Sequence, residues 1–191
     1  GIQPSSHKFT VLLHNSQTNS ATLPGTALDV DPRYPFYQIS RRIEQLQKGE
    51  GNRINSYLEL KTISTERLKG KLFIDSPNMS AVPTNSINSM LTKHIVENSD
   101  LILVFTDVFE SASPMLDELV QLITIHQDSN KFVYLIDEPL AALNPAKTNE
   151  IITSWQRKLA SMGLNTGQFI IVPNQQNSIN PLSKVDFSEI D

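Results

Sequence analysis

From Lys71 onward, short uninterrupted apolar runs alternate with stretches whose apolar residues recur at three- and four-residue intervals. Unbroken runs suit strands covered on both faces, and spacing near 3.6 suits amphipathic helices, so the pattern predicts an α/β fold on a parallel sheet. The predicted strands are 71–75, Leu101 to Phe105, Phe132 to Ile136 and Phe169 to Val172. One predicted helix runs from Thr84 to Asn98, with Ile87, Met90, Leu91, His94 and Ile95 on one side. A second begins at Ser113-Pro114, an N-cap followed by proline at the first helical position, and presents Leu116, Leu119, Val120 and Ile123. A third runs from about Ala146 to Met162, with the stripe Ile152, Trp155, Leu159 and Met162, before a Gly163 suited to its C-terminus. The first third is less regular: a strand from Lys8 to His14, a Pro- and Gly-bearing loop from Leu23 to Phe36, a helix from Tyr37 to about Gln47, and a turn at Gly49 to Asn52. Successive β-then-α steps imply right-handed crossovers with ligands at the carboxyl ends of the strands. Chemistry is therefore expected after Asp75, Phe105, Ile136 and Val172.

At 191 residues the length suits one domain, read as 1–175, followed by a polar Asn-, Gln- and Ser-rich tail at 176–191. With 39% hydrophobic and 19% charged residues, the chain has enough apolar side chains for a core. A net charge of −4 gives no overall field for nucleic acid, which is not expected as a partner. No apolar run approaches the ~20 residues of a membrane span, and no secretory signal is visible, so a cytoplasmic location is expected. Zero cysteines exclude disulfides, thiolate metal sites and cysteine nucleophiles. His7, His14, His94 and His126 show no metal-ligand spacing; the first two and His126 are expected on solvated surfaces, and His94 on the buried edge of its helix. Arg41-Arg42 and Lys69 with Lys71 read as solvated charges, or as a basic patch able to touch phospholipid.

Two predicted strands end in acids, Phe73-Ile74-Asp75 and Leu135-Ile136-Asp137-Glu138. P-loop nucleotidases present a carboxylate to Mg²⁺ in this way, and the same Asp serves equally as a helix cap or turn former. The phosphate cradle G-x-x-x-x-G-K-S/T does not occur; the Gly-Lys pair Gly70-Lys71 is followed by Leu72.

Leu23-Pro24-Gly25-Thr26-Ala27-Leu28-Asp29-Val30-Asp31-Pro32-Arg33-Tyr34-Pro35-Phe36 closely resembles the V-P-G-N-A-L-x-V-D-P-x-x-P-F segment of the EHD family, dynamin-related nucleotidases that remodel membranes. Gln3 to Phe9 resembles the family's switch I, E-P-T-T-D-x-F, and Phe73 to Asn78 its switch II, I-I-D-T-P-G. Leu101 to Asp107 is similar to I-I-L-L-F-D-A, and the resemblance spans roughly residues 2–172 in unbroken order. It implies a three-layer P-loop-nucleotidase-like, mostly parallel sheet without the first strand and phosphate loop. It also implies Mg²⁺ with ATP or GTP, and slow hydrolysis coupled to self-assembly on membranes. By the same resemblance Ser5 and Ser6 occupy the switch I threonines, Ser6 acting near Mg²⁺. Asp75 is the second-shell Mg²⁺ carboxylate, and Pro77 and Asn78 stand beside the γ-phosphate. Asn78 replaces the family's Gly, and Ile136-Asp137-Glu138-Pro139 replaces the base-reading N-K-x-D. A catalytically inactive pseudo-nucleotidase acting as an interaction module is the alternative.

Trp155 aligns with the Trp of the family's dimerisation helix, and also shares an apolar stripe with Ile152 and Leu159; interface anchor and core residue are both consistent with the sequence. A homodimer or larger self-assembly is the partner expected, with membrane contact through regions outside these residues. A rival resemblance joins Tyr134 to Pro145 to the Walker B and D-loop of ABC-type ATPases, with Asp137 on Mg²⁺ and Glu138 polarising water, although the L-S-G-G-Q signature is absent.

Overall fold

In a computed structural model the described residues are 7–16, 20–77, 86–105, 121, 124, 129–137, 145–163 and 168–172. They form a mixed α/β structure with parallel-rich sheets, in two compact units, Gly1–Asn98 and Ser99–Asp191. No helix among them is long and apolar enough to cross a membrane.

The first unit contains β1 (Phe9–His14), β2 (Ala21–Pro24), α1 (Thr26–Asp29), α2 (Ile39–Leu46), β3 (Leu58–Ile63), β4 (Leu72–Asp75) and α3 (Ser86–Asn98). Its four strands lie in the order β2-β3-β1-β4. β1 runs parallel to β3, whereas β2 is antiparallel to β3 and β4 antiparallel to β1. The strand ending at Asp75 therefore reverses the direction expected of it in a parallel series. β3 is not among the strands expected from the sequence, yet Leu58-Glu59-Leu60-Lys61-Thr62-Ile63 alternates apolar and polar residues with the period of a strand.

Because side chains alternate across a strand, the register assigns the two faces of this sheet. Phe9, Val11, Leu58 and Leu60 are buried with Leu28, Phe36, Ile39, Ile43, Ile54, Ile87 and Leu91, forming one apolar core. Thr10, Glu59, Lys61, Phe73 and Asp75 fall on the opposite face.

The Leu23 to Phe36 segment, expected as a loop, supplies the end of β2 and the single turn α1. Its backbone passes so near β3 that a Cβ on Gly25 would lie 2.5 Å from the Leu58 carbonyl oxygen. Asp29 then fixes the start of α2: its carboxylate accepts from the Ser40 N–H at 2.8 Å and the Ser40 hydroxyl at 2.7 Å, and its carbonyl from the Gln38 N–H at 2.8 Å. Gln38 adopts a left-handed conformation, φ 58°, which delays the helix to Ile39 rather than Tyr37.

The second unit contains β5 (Ile102–Phe105), β6 (Phe132–Asp137), α4 (Pro145–Ser161) and β7 (Gln168–Val172). Its strands are all parallel in the order β5-β6-β7, and β6–α4–β7 is a crossover unit of the expected kind. β6 is central and buried from Phe132 to Ile136. Proline at the first helical position suits the Pro145 start of α4. The helix expected after Ser113-Pro114, Glu138 and the 176–191 tail lie outside the described residues.

Candidate functional site

The antiparallel register of β1 and β4 sets Thr10 opposite Asp75, so the carboxyl end of β4 meets the amino end of β1. The parallel register of β1 and β3 sets Thr10 opposite Glu59. One row across the polar sheet face thus reads Asp75, Thr10, Glu59. The Thr10 hydroxyl donates to Glu59 Oε1 at 2.9 Å, and Lys61 Nζ approaches the same oxygen at 2.9 Å. The Lys61 hydrogen bond, assisted by that from Thr10, holds the Glu59 carboxyl below its ordinary range; desolvation opposes the shift.

Asp75 behaves differently. Desolvation raises its carboxyl above the ordinary value, and the Lys61 charge only partly offsets this. No described residue donates a hydrogen bond to that carboxylate or forms an ion pair with it. A cap or turn-forming aspartate would spend its oxygens on nearby N–H groups, as Asp29 does on Ser40. Asp75 thus retains acceptor capacity at the end of a strand where α/β proteins place ligands. Pro77, two residues on, is buried. Ser5, Ser6 and Asn78 lie outside the described residues, as does Glu138. The chain enters β1 at the end of the sheet where β4 leaves it, so residues 7–9 and 75–77 lie at one end of the same strand pair.

Thr10, Glu59 and Lys61 are not among the residues that the sequence singles out. Their signal is the polar half of the β3 alternation, whose partners only the register reveals. Among the described residues no cluster of three His, Asp or Glu side chains is placed to hold a metal.

His94 and His14 serve structure, whereas His7 is exposed. His94 lies against the Phe36 ring, centroids 5.7 Å apart. Its Nε2 is 2.6 Å from the Pro35 carbonyl oxygen and its Nδ1 2.8 Å from Arg42 Nη1. A carbonyl only accepts and a guanidinium only donates, so Nε2 carries the proton and Nδ1 accepts. His14 is partly buried rather than solvated, with Nδ1 2.8 Å from the Thr65 carbonyl oxygen.

Trp155 is 7% exposed, and its ring sits 5.3 Å from that of Tyr134, which stacks on Phe169 at 4.9 Å. The indole is a core residue of the second unit. The anchor role implied by the family's dimerisation helix lacks the exposed indole surface it needs in this chain, because Trp155 is spent on packing α4 against β6. Burial also pushes the Tyr134 phenol up to about 12.

In comparisons with known proteins, no family model matches this sequence and no curated protein matches it.

Proposed function

We propose that residues 1–175 belong to a nucleotide-binding and -hydrolysing domain of the EHD-like, dynamin-related kind, acting with Mg²⁺ and ATP or GTP in membrane remodelling or trafficking. The observation that carries this reading is Asp75: an exposed carboxylate at the carboxyl end of β4, beside the start of β1, to which no described residue donates. The three-layer P-loop-type sheet lacking its first strand belongs to the same proposal. It is supported by β5, an outer strand with neither the charge nor the proline that usually protects a sheet edge, whose Phe105 is 74% exposed.

In this reading Asp75 and Ser6 would hold Mg²⁺, Asp75 through its water shell and Ser6 through its hydroxyl. By the family resemblance, Ser5, Pro77 and Asn78 would be the residues that bind the γ-phosphate. Mg²⁺ held there would supply charge neutralisation for phosphoryl transfer, and the reading requires a phosphate cradle from sequence outside these residues. Cytoplasmic, membrane-peripheral action and self-assembly accompany the proposal.

A second reading, a pseudo-nucleotidase interaction module, is favoured by the departures at Asn78 and at Ile136-Asp137-Glu138-Pro139. The deciding experiment measures ATP and GTP turnover of the intact protein and of Asp75→Ala. Loss of at least about a hundredfold in turnover, with an unchanged circular dichroism spectrum, is the expected result for a residue orienting the catalytic metal. No nucleotide binding by the intact protein moves the assignment to the pseudo-nucleotidase. Glu138→Ala abolishing turnover while Asp75→Ala spares it is the outcome required by the ABC-type alternative.

A further inference from the structure

Residues 38–48 and 86–98, which carry α2, the turn after it and α3, hold the cations Arg41, Arg42, Lys48 and Lys93 against the acids Glu44 and Glu97, an excess of 4 − 2 = 2 positive charges. All four cations are exposed and form no ion pair with any described residue. By contrast, Arg33, Arg53, Lys61 and Lys69 of the same unit are each neutralised by a neighbouring acid. Arg41 donates to Gln38 Oε1 at 3.2 Å and Arg42 to His94 Nδ1 at 2.8 Å. Both partners are neutral, so they hold a guanidinium in place, leave its charge intact and spare the other donors of its fork. Glu44 spends its oxygens on the Gly49 and Gly51 N–H groups rather than on a cation.

The Arg42 to His94 hydrogen bond also ties α2 to α3, beside Lys93. Apolar side chains stand exposed among these charges. Leu46, 47% exposed, lies one turn beyond Arg42 on the same side of α2. At the other end of the helix, Tyr37 is 47% and Val30 70% exposed. The Asp29 carbonyl accepts from the Gln38 N–H, so both adjoin the residue pair that anchors Arg41.

We propose that this α2/α3 face docks on an anionic phospholipid bilayer, with its arginine and lysine side chains on the lipid phosphates and its exposed apolar side chains at headgroup level. Charge complementarity brings the face to an anionic surface, and the apolar side chains select which one. An acidic protein patch would match the cations alone, whereas a bilayer interface takes up aliphatic and aromatic groups beside them. The overall charge of −4 does not prevent this, because a charge more than about 8 Å from the lipid surface is screened at physiological ionic strength and the local excess governs contact. The inference goes beyond the nucleotidase reading, which leaves membrane contact to regions outside these residues. It involves neither Asp75 nor nucleotide, so vesicle binding and turnover fail separately.

The test is co-sedimentation of the 191-residue chain with phosphatidylcholine vesicles, with and without phosphatidylserine, at about 0.1 M and about 0.5 M NaCl. The expected result is pelleting with the phosphatidylserine vesicles alone, reduced at the higher salt. The variant Arg41→Gln/Lys48→Gln/Lys93→Gln, which leaves the Arg42 to His94 bond in place, is expected to partition roughly a hundredfold more weakly, at about fivefold per cation. Lys48→Gln/Lys93→Gln should lose roughly thirtyfold, which keeps the test decisive should the triple variant misfold. Leu46→Ser is expected to weaken vesicle binding several-fold with its salt dependence unchanged. Indifference to phosphatidylserine, or charge or Leu46 variants that pellet like the parent, overturns the proposal. So does retention of the chain on immobilised poly-glutamate without pelleting on vesicles, which assigns the face to an acidic protein.

Discussion

Gly25→Ala is predicted to destabilise the protein through a steric collision with β3. Gly25 has φ −58° and ψ −23°, a right-handed helical conformation open to any residue, so backbone strain plays no part. Its new Cβ would instead meet three atoms of Leu58: the carbonyl oxygen at 2.5 Å, Cβ at 2.8 Å and the carbonyl carbon at 3.0 Å. Optimal carbon contacts lie near 3.5–4.0 Å, so one partner must withdraw by roughly 1 Å. Leu58 is fully buried and its strand is paired to β1 and β2, so neither it nor its backbone can move without opening the sheet. Moving the Gly25 segment instead loosens the 3.0 Å bond from the Thr26 N–H to Asn55 Oδ1 and the pairing of Pro24 with Glu59. Overpacking of this kind costs about 3 kcal/mol, and the reduced freedom of the unfolded chain returns under about 1 kcal/mol. The net loss is about 2 kcal/mol, or roughly 8–16 °C in Tm for a unit of this size. Urea unfolding followed by far-UV circular dichroism is the assay, with Gly49→Ala as comparison. Gly49 has φ +90°, and a Cβ added there would meet nothing within 4 Å, so its smaller cost is purely conformational. If Gly25→Ala unfolds within about 0.5 kcal/mol of the parent, the close approach does not constrain the fold and the reasoning fails.

Asp75→Asn is predicted to stabilise the fold slightly while abolishing any Mg²⁺-dependent activity. The folded-state pKa of Asp75 is raised, so the folded chain holds its proton more tightly and the penalty for ionisation is fully present above that raised value. As pH falls through it, toward the unfolded value, the penalty disappears, and the Asn variant's small advantage should vanish with it in denaturation curves measured from pH 7 to 3. Tyr134→Phe is expected to hold or raise stability by about 1 kcal/mol, because no described residue bonds the buried hydroxyl. The parent should lose stability between the unfolded phenol value of 10.0 and about 12, the pH window over which only the unfolded state deprotonates, and absorbance at alkaline pH should show the loss of this step in the variant. Trp155→Ala should cost about 3–5 kcal/mol by emptying the contact with Tyr134, whereas a folded variant of parental stability would place the indole at a surface after all.

The sequence alone determined the elements whose signal is local. Phe132 to Ile136 reads as a strand because five consecutive apolar residues need cover on both faces, and β6 is indeed the central strand of its sheet. The 3.6-residue spacing of Ile87, Leu91 and Trp155, Leu159 likewise placed the buried sides of α3 and α4. Tertiary structure decided what depends on partners distant in sequence. The alternation in Leu58 to Ile63 marks a strand, but that it lies between β1 and β2 follows only from pairing. Strand direction is equally invisible locally: β4 has the composition of a parallel strand and runs antiparallel to β1, which brings Asp75 beside Thr10. The sequence located Asp75 at a strand end and left cap and ligand roles open. The structure adds that no described N–H group reaches Asp75 as that of Ser40 reaches Asp29, a difference chosen by the fold rather than by the neighbouring residues. Trp155 makes the same point in reverse: its stripe allowed interface or core, and the position of Tyr134 on the facing strand made it core.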